Sequence, residues 1–208
     1  AFGLTESQAG SDIMAIKTSA VLDGDHYVTN GTKQFITNGG EAEIYTIIAL
    51  TDPKKGRRGA SAFIVEKGAP GFTFGKKEKK MGIRCSATRE LVFHNCHIPK
   101  ENLLSREGMG FIVTMKTLDS SRPGVGALAV GLAQGALEAA VAYARQRVQF
   151  GHPVSAIQAV QHMLANMAME LEAARALVYA TAKTIDSGAK DFTEESAMAN
   201  VFATDMAM

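Results

Sequence analysis

The stretch HYVTNGTKQFITNGG, residues 26–40, decides half of the architecture. Along it β-branched or aromatic residues alternate with polar ones, the period of a half-buried strand. Asn-Gly interrupts it at Asn30 and again at Asn38, and this dipeptide is the strongest short hairpin signal. Further along, IYTIIAL (44–50), SAFIVEK (61–67) and ELVFHNCHI (90–98) are short β-rich runs bounded by Gly, Pro and Asp. Residues 20–99 therefore read as an antiparallel all-β unit.

After Pro99 the texture changes to Ala, Leu, Met, Glu and Gln, residues of high helix propensity. Ile157, Val160, Leu164, Met167, Leu171, Ala174 and Val178 recur at alternating spacings of three and four, one apolar stripe along a long helix. A second apolar helix is expected over 125–147, with Gly131 and Gly135 where another backbone would approach closely, and with Pro123 at its start. Joined through FGHPVS (150–155), the two helices form an antiparallel pair that cannot bury both faces alone. The fold class is therefore α+β and multi-domain: an antiparallel β domain over 1–104, then part of an antiparallel helical bundle over 105–208. Both ends are expected to be cuts through a longer polypeptide, because the opening AFGLTESQAGSD is a turn-rich polar loop and the closing VFATDMAM carries no helix stop signal.

Charge and cysteine content narrow the function. Lys plus Arg total 22 against 21 Asp plus Glu, so no net field favours nucleic acid or an anionic membrane. No apolar run is read as long enough to cross a bilayer, and membrane insertion is not expected. Cys85 and Cys96 lack metal-ligand spacing and cannot build a disulfide framework.

Several stretches offer chemistry beside a plainer alternative. Thr5, Gly10, Ser11 and Asp12 could hydrogen-bond a cofactor edge or form an ordinary polar turn. Phe35, Ile36 and Thr37 could present an aromatic face and a hydroxyl to a planar ring, or simply be a strand entering a turn. GVGALAVG (124–131) and GMGF (108–111) are not dinucleotide fingerprints, since neither follows a strand, and close helix packing explains their glycines better. His94, Cys96 and His97 fall on opposite strand faces, so no metal site is expected. GKKEKKMGIR (75–84) is a solvated loop or a phosphate contact. Arg122 could hold an anionic or adenine-bearing ligand, and Arg147 could be a last-turn charge complementing the helix dipole.

Taken in order and spacing, AFGLTESQAGSD, NGTKQFITNGG, KKMGIRCSATRELVF, LDSSRPGVGALAVGLAQGALEAAVAYARQRVQFG and IQAVQHMLANMAMELEAAR resemble the acyl-CoA dehydrogenase family, closest to its short- and medium-chain, butyryl-CoA-like members. The resemblance covers essentially the whole chain. It implies a central β-barrel-like domain and the first half of a C-terminal bundle, with the family's N-terminal helical domain absent. It further implies FAD-dependent α,β-dehydrogenation of an acyl-CoA thioester to the trans-2-enoyl-CoA, with electrons passed to an electron-transferring flavoprotein. Acyl-CoA oxidases and flavin monooxygenases, which share the architecture, and a non-catalytic interaction fragment are the alternatives.

By this resemblance Phe2, Leu4, Thr5 and Gly10 belong to the flavin loop, and Ser11 sits between flavin and substrate. Phe35, Ile36 and Thr37 match the second flavin segment, with the Thr37 hydroxyl reaching towards the flavin N5. Asp119 and Arg122 fall where the family contacts the adenine and ribose of CoA. Arg147, Phe150 and Gln158 match positions that reach the FAD of a neighbouring subunit, which implies a homo-oligomer, usually a tetramer. The base that removes the α-proton is a glutamate; where isovaleryl and long-chain types carry it, this chain has Ser121, so no catalytic residue is expected within 1–208. Ser7 departs from the family's Pro, and Ser120 and Ser121 from a frequent Gly pair. The resemblance places the protein in the bacterial cytoplasm or, in a eukaryote, the mitochondrial matrix.

Overall fold

The structure, a computed structural model, describes residues 1–208. The chain forms two compact units, Ala1–Met115 and Lys116–Met208.

The first unit is built from β1 (Phe2–Gly3), β2 (Ser19–Asp23), β3 (His26–Thr37), β4 (Ile44–Leu50), β5 (Ala60–Glu66), β6 (Phe72–Phe74), β7 (Thr88–Pro99) and β8 (Leu103–Leu104). They form one sheet in the order β6-β7-β3-β2-β4-β5-β8, with β1 beside β4. Most pairs are antiparallel, as the short, turn-bounded strands require. The purely antiparallel reading is corrected at two places: Phe2 and Gly3 run parallel to Thr46 and Ile47, and Ser19 pairs in parallel with Leu50. Both strands enter the sheet from the opening loop and not through a hairpin, so nothing forces them to reverse direction against β4.

Aromatic rings from distant positions in the strand order meet in the middle. Phe72 on the edge strand β6 stacks on Phe93 at 4.8 Å and also meets Tyr45 of β4 edge-on at 5.0 Å. The sheet therefore curls around its core. Tyr27, Tyr45, Ile47, Phe63 and Leu91 are buried there, each contributing about 1.5–3 kcal/mol by burial.

The two Asn-Gly pairs do different work. Asn38, at φ 61°, ends β3 in a turn. Asn30-Gly31 is not a hairpin; it lies inside β3 opposite a bulge in β7, where Asn30 faces both His94 and Asn95 as the register slips between Thr29 and Gly31. The β2–β3 hairpin turns instead at Gly24 and Asp25, between the paired Asp23 and His26. Asn95, left-handed at φ 46° in that bulge, donates its backbone N–H to the Asn30 side-chain oxygen at 2.8 Å, so Asn30 braces the bulge across from it.

In the second unit, α1 (Gly110–Gln146, which begins in the first) is followed by the two-strand hairpin of β9 (Val148–Gln149) and β10 (His152–Pro153), then by α2 (Gln158–Asp186) and α3 (Thr193–Met206). Helix α1 starts fifteen residues before the expected 125, and Pro123 lies inside it, buried. A proline costs the helix one hydrogen bond, but the periodic apolar residues on both sides continue through it. The contacts Gly126 to Val178 and Gln134 to Arg175 run in opposite chain directions, so α1 and α2 are antiparallel. Ala129, Val130, Leu171, Ala174, Val178, Ala199 and Ala203 form their shared core. Close backbone approach occurs at Gly126, where a Cβ would stand 3.1 Å from the Ala199 carbonyl, and not at Gly131 or Gly135, which face open space within this chain.

Helix α1 also corrects the reading that no segment is long and apolar enough to span a bilayer: an 18-residue window reaches mean hydropathy 1.6. Leu, Val and Ala raise that mean while Gln134 and Glu138 interrupt any continuous apolar run. The helix packs Ala129 and Val130 against its neighbours.

Gly31 gives a direct test of this close approach. Its φ is +144° and a Cβ there would lie 2.7 Å from the Thr18 Cα. Gly31→Ala is expected to cost at least about 2 kcal/mol in urea denaturation of the intact protein, whereas Gly24→Ala, in open space, costs about 1 kcal/mol.

Candidate functional site

The opening loop is fastened to β3 at one spot. The Gln34 N–H donates to the Thr5 carbonyl at 2.7 Å. Beneath that bond, Lys33 is fully buried, its Nζ 2.7 Å from Glu6 Oε1 and 3.1 Å from the Leu4 carbonyl. Glu6 is itself 5% exposed. Its carboxylate accepts from the Lys17 N–H at 2.7 Å, the Thr18 N–H at 3.1 Å and the Gln8 amide at 2.7 Å. Every lone-pair direction of a buried charge is thus met, the condition under which a buried ion pair is tolerated.

Burial alone would raise the Glu6 carboxyl, but the Lys33 ammonium and the N–H donors outweigh it and hold its pKa at about 2. For Lys33 the balance goes the other way: desolvation pulls its pKa below the ordinary lysine value despite the Glu6 carboxylate.

Sequence reasoning had passed over Glu6 and Lys33. The signal was available: Tyr27, Thr29 and Lys33 share the inward phase of β3, and a lysine in that phase requires a buried counter-ion. Glu6 also closes a tight turn on itself, exchanging backbone hydrogen bonds with Ala9 at 3.0 Å in both directions. Ser7, in place of the family's Pro, is exposed in that turn and donates to Gln8 at 3.0 Å.

Directly after Gln34 the strand bulges. The register slips between Lys33 and Ile36, and Phe35 is thrown into the left-handed region at φ 56° with 60% of its surface exposed. A bulky residue there costs of order 1–2 kcal/mol and persists only where its surroundings impose it. Ile36 turns back into the core, 3% exposed, so it offers a ligand its backbone and not its side chain. Thr37 is exposed at the strand end. Just beyond, the Arg89 side chain lies against Gly40, and the Gly40 N–H donates to the Tyr45 hydroxyl at 3.0 Å, closing the turn after β3.

The structure therefore brings Thr5 to Gln34, the residue before Phe35 and three before Thr37, while Phe2 and Leu4 are partly buried against the core under the loop. Gly10 and Ser11 are exposed at its far side, where Asp12 caps a short turn by accepting from the Met14 N–H. An exposed, left-handed aromatic, flanked by hydroxyls and backbone polar groups on a rigid sheet, suits the planar ring of a flavin. Residues Phe35, Thr37 and Thr5 would hold it.

In the helical unit, Arg122 donates to Asp119 Oδ1 within one turn of α1, and the Thr193 hydroxyl, from the first turn of α3, donates to Asp119 Oδ2 at 3.1 Å. Ser121 is exposed and its hydroxyl donates back to the Leu118 carbonyl at 3.0 Å. Arg147, Phe150 and Gln158 are exposed, with Phe150 left-handed at φ 53° and 90% exposed. A cavity of about 700 Å³ lies between α2 and α3, lined by Leu177, Met198, Val201, Phe202 and Met206, with Glu170 and Asp205 also in its lining. Its lining is predominantly apolar.

The remaining candidates stay apart. Cys96 is buried, which pushes its thiol up to about 11, while His94 and His97 face outward and His97 stacks on His26 at 4.3 Å. The 75–84 segment exposes Met81 and Ile83 alongside its lysines.

The Glu6–Lys33 pair predicts a pH profile with a definite sign. Because Glu6 titrates near 2 in the fold and near 4.5 when unfolded, its contribution is complete above 4.5 and drains as pH falls towards 2. Lys33→Met should cost about 3–5 kcal/mol at neutral pH and reverse the slope, since an unpaired buried carboxyl gains from protonation. Urea midpoints between pH 2 and pH 7 in the intact protein check both.

Known proteins share both this sequence and this fold. The model of the acyl-CoA dehydrogenase middle domain matches residues 1–96, and that of the acyl-CoA dehydrogenase C-terminal domain matches 108–208. The acryloyl-CoA reductase (NADH) of Anaerotignum propionicum is 52% identical over the whole chain, which covers 53% of that relative. Butyryl-CoA dehydrogenase from Megasphaera elsdenii superposes with TM-score 0.96 at 51% identity, over 99% of this chain and 54% of that one. A chain from a structure of the electron transferring flavoprotein of Acidaminococcus fermentans, described in terms of flavin-based electron bifurcation, gives TM-score 0.96 at 55% identity, over 99% of this chain and 54% of that one. The chain thus spans about half the length of the curated relatives it matches.

Proposed function

The chain belongs to the acyl-CoA dehydrogenase family, and from that premise we propose that it takes part in FAD-dependent α,β-dehydrogenation of a short- to medium-chain acyl-CoA, with electrons leaving to an electron-transferring flavoprotein. The observation that carries this reading is the junction at Gln34, where the opening loop is pinned against a strand that then bulges to expose Phe35 and Thr37. FAD, when bound, supplies the acceptor for the two electrons.

The chain's own residues have narrower tasks. Thr5 and the loop backbone offer hydrogen bonds to the ring edge, Phe35 shields one face from water, and the Thr37 hydroxyl offers a donor that favours the more electron-rich reduced state. Asp119 and Arg122 meet the nucleotide end of CoA. Arg147, Phe150 and Gln158, exposed on the helical unit, serve the cofactor of a neighbouring copy in a homo-oligomer. The α-proton goes to a glutamate outside 1–208, since Ser121 carries only a hydroxyl and spends it on Leu118.

A second direction is favoured by one relative: the Anaerotignum protein is named a reductase of acryloyl-CoA. The same site run towards reduction would use the same groups, since a catalyst does not fix the direction.

Anaerobic addition of butyryl-CoA to the intact, FAD-loaded protein is expected to bleach its visible absorbance, and Thr37→Val to slow that step about tenfold. Failure of every acyl-CoA tested to bleach the flavin would contradict the reading. Rapid peroxide release in air would replace the flavoprotein acceptor with oxygen.

A further inference from the structure

The backbone of the opening loop leaves a single donor over. Between the Leu4 carbonyl and the Glu6 carbonyl, every polar group but one has a partner in the chain. Lys33 Nζ donates to the Leu4 carbonyl at 3.1 Å, and the Gln34 N–H donates to the Thr5 carbonyl at 2.7 Å. Glu6 exchanges both of its backbone groups with Ala9 at 3.0 Å. The Thr5 N–H has no acceptor, although Thr5 is half-buried, where a backbone donor is ordinarily bonded.

The direction of that donor is fixed. A trans peptide is planar, and the C=O of one residue points opposite to the N–H of the next. Lys33, with no exposed surface, draws the Leu4 carbonyl towards the core, so the Thr5 N–H of the same peptide points away from Lys33. The next peptide is fixed as well, its carbonyl by Gln34 and its N–H by Ala9. The Leu4–Thr5 peptide therefore cannot turn its N–H elsewhere without breaking the Lys33 bond. That bond also polarises the peptide: an ammonium on the oxygen draws electrons from the nitrogen and makes its N–H a stronger donor.

Charge balance does not require this contact. Lys33 and Glu6 neutralise each other at 2.7 Å, and the Lys17 and Thr18 amides complete the carboxylate. The bond to Leu4 adds nothing to that balance, and it acts on the one peptide whose donor is unused.

Resting on the reading that the opening loop borders a flavin, we propose that Lys33 is a positioning residue for the cofactor: through the Leu4 carbonyl it aims the Thr5 N–H at an acceptor on the polar edge of the ring. Reduction places negative charge on that edge, so a donor held there favours the reduced form over the oxidised one. Lys33 touches neither the ring nor the substrate. Paired with Glu6 it brings no net charge, and it acts through the direction and polarity of one peptide.

The reduction potential of the flavin in the intact, FAD-loaded protein tests this. A loss of fold stability or of overall affinity weakens both redox states alike and leaves the potential in place, whereas a misdirected donor weakens the reduced state selectively. Glu6→Gln combined with Lys33→Met removes both charges together, so neither is left buried and unmatched. It should lower the equilibrium constant for flavin reduction about tenfold, a fall of about 30 mV for a two-electron couple. An unchanged potential overturns the inference. Amide exchange in the unsubstituted protein gives a second readout that needs no variant. Thr5 exchange should slow about tenfold from the oxidised to the reduced state, while Thr46, bonded to Ala1 beside the loop, stays constant. Equal Thr5 exchange in the two states overturns the inference too, and decides the matter if the double variant does not retain FAD. Failure of the unsubstituted protein to bind FAD, or of any acyl-CoA to bleach it, would sink the flavin reading and the inference with it. A protein that binds FAD and bleaches, with potential and Thr5 exchange both unmoved, keeps that reading and loses the role of Lys33.

Discussion

A lysine with no surface in water is held in β3 only because a glutamate from the opening loop lies 2.7 Å from it. Neither charge is tolerable there alone. The pair's net worth against two well-packed apolar residues is small or negative, because both ions have been stripped of water. Its role is therefore one of specification: it allows a single placement of the loop on the sheet, and any other leaves a buried charge unmatched. Lys33 also binds the Leu4 carbonyl, and Glu6 binds the Lys17 and Thr18 amides, so one contact gathers both ends of the loop onto one strand.

The remainder of β3 depends on that anchor. Its pairing with β7 shifts register twice, once where β7 bulges at Asn95 opposite Asn30 and once where β3 itself bulges and leaves Phe35 left-handed and exposed. Strain of this kind is retained where the surroundings over-determine it, and here they do: Lys33 and Gln34 are fixed on one side, and Ile36 is buried on the other. The sheet thus carries a rigid aromatic at its surface beside hydroxyls that a polar ring edge can use. In the helical unit the Asp119 cluster ties α1 to α3.

Much of this was legible in the sequence because period dictates it. The switch from alternation to a 3.6-residue repeat separates sheet from helix, and the stripe on α2 points to Leu171, Ala174 and Val178, which are buried. Three features resisted because they depend on partners distant in the chain. Helix α1 begins at Gly110 because helical periodicity runs through Pro123, whereas local rules place a start there. Asn30-Gly31 stays within β3 because a bulge of β7 at Asn95 and the Thr18 backbone lie across from it, although the dipeptide alone reads as a turn. Gly126, not Gly131 or Gly135, meets a neighbouring backbone, a choice made by the position of α3. The flavin-loop residues were named through family resemblance, but the charge pair that holds them was not, since a lysine in a polar stretch raises no alarm until its strand phase is counted.

The central claim is that the Glu6–Lys33 contact, and not the sheet as a whole, keeps the opening loop in place. Residue-resolved amide hydrogen exchange on the intact protein carrying Glu6→Gln measures this directly. The account predicts that Lys17, Thr18 and Gln34 lose protection together while Ile47 and Phe63, in the paired strands β4 and β5, keep theirs. Unchanged protection at those three amides would contradict it, as would loss spread evenly across the sheet.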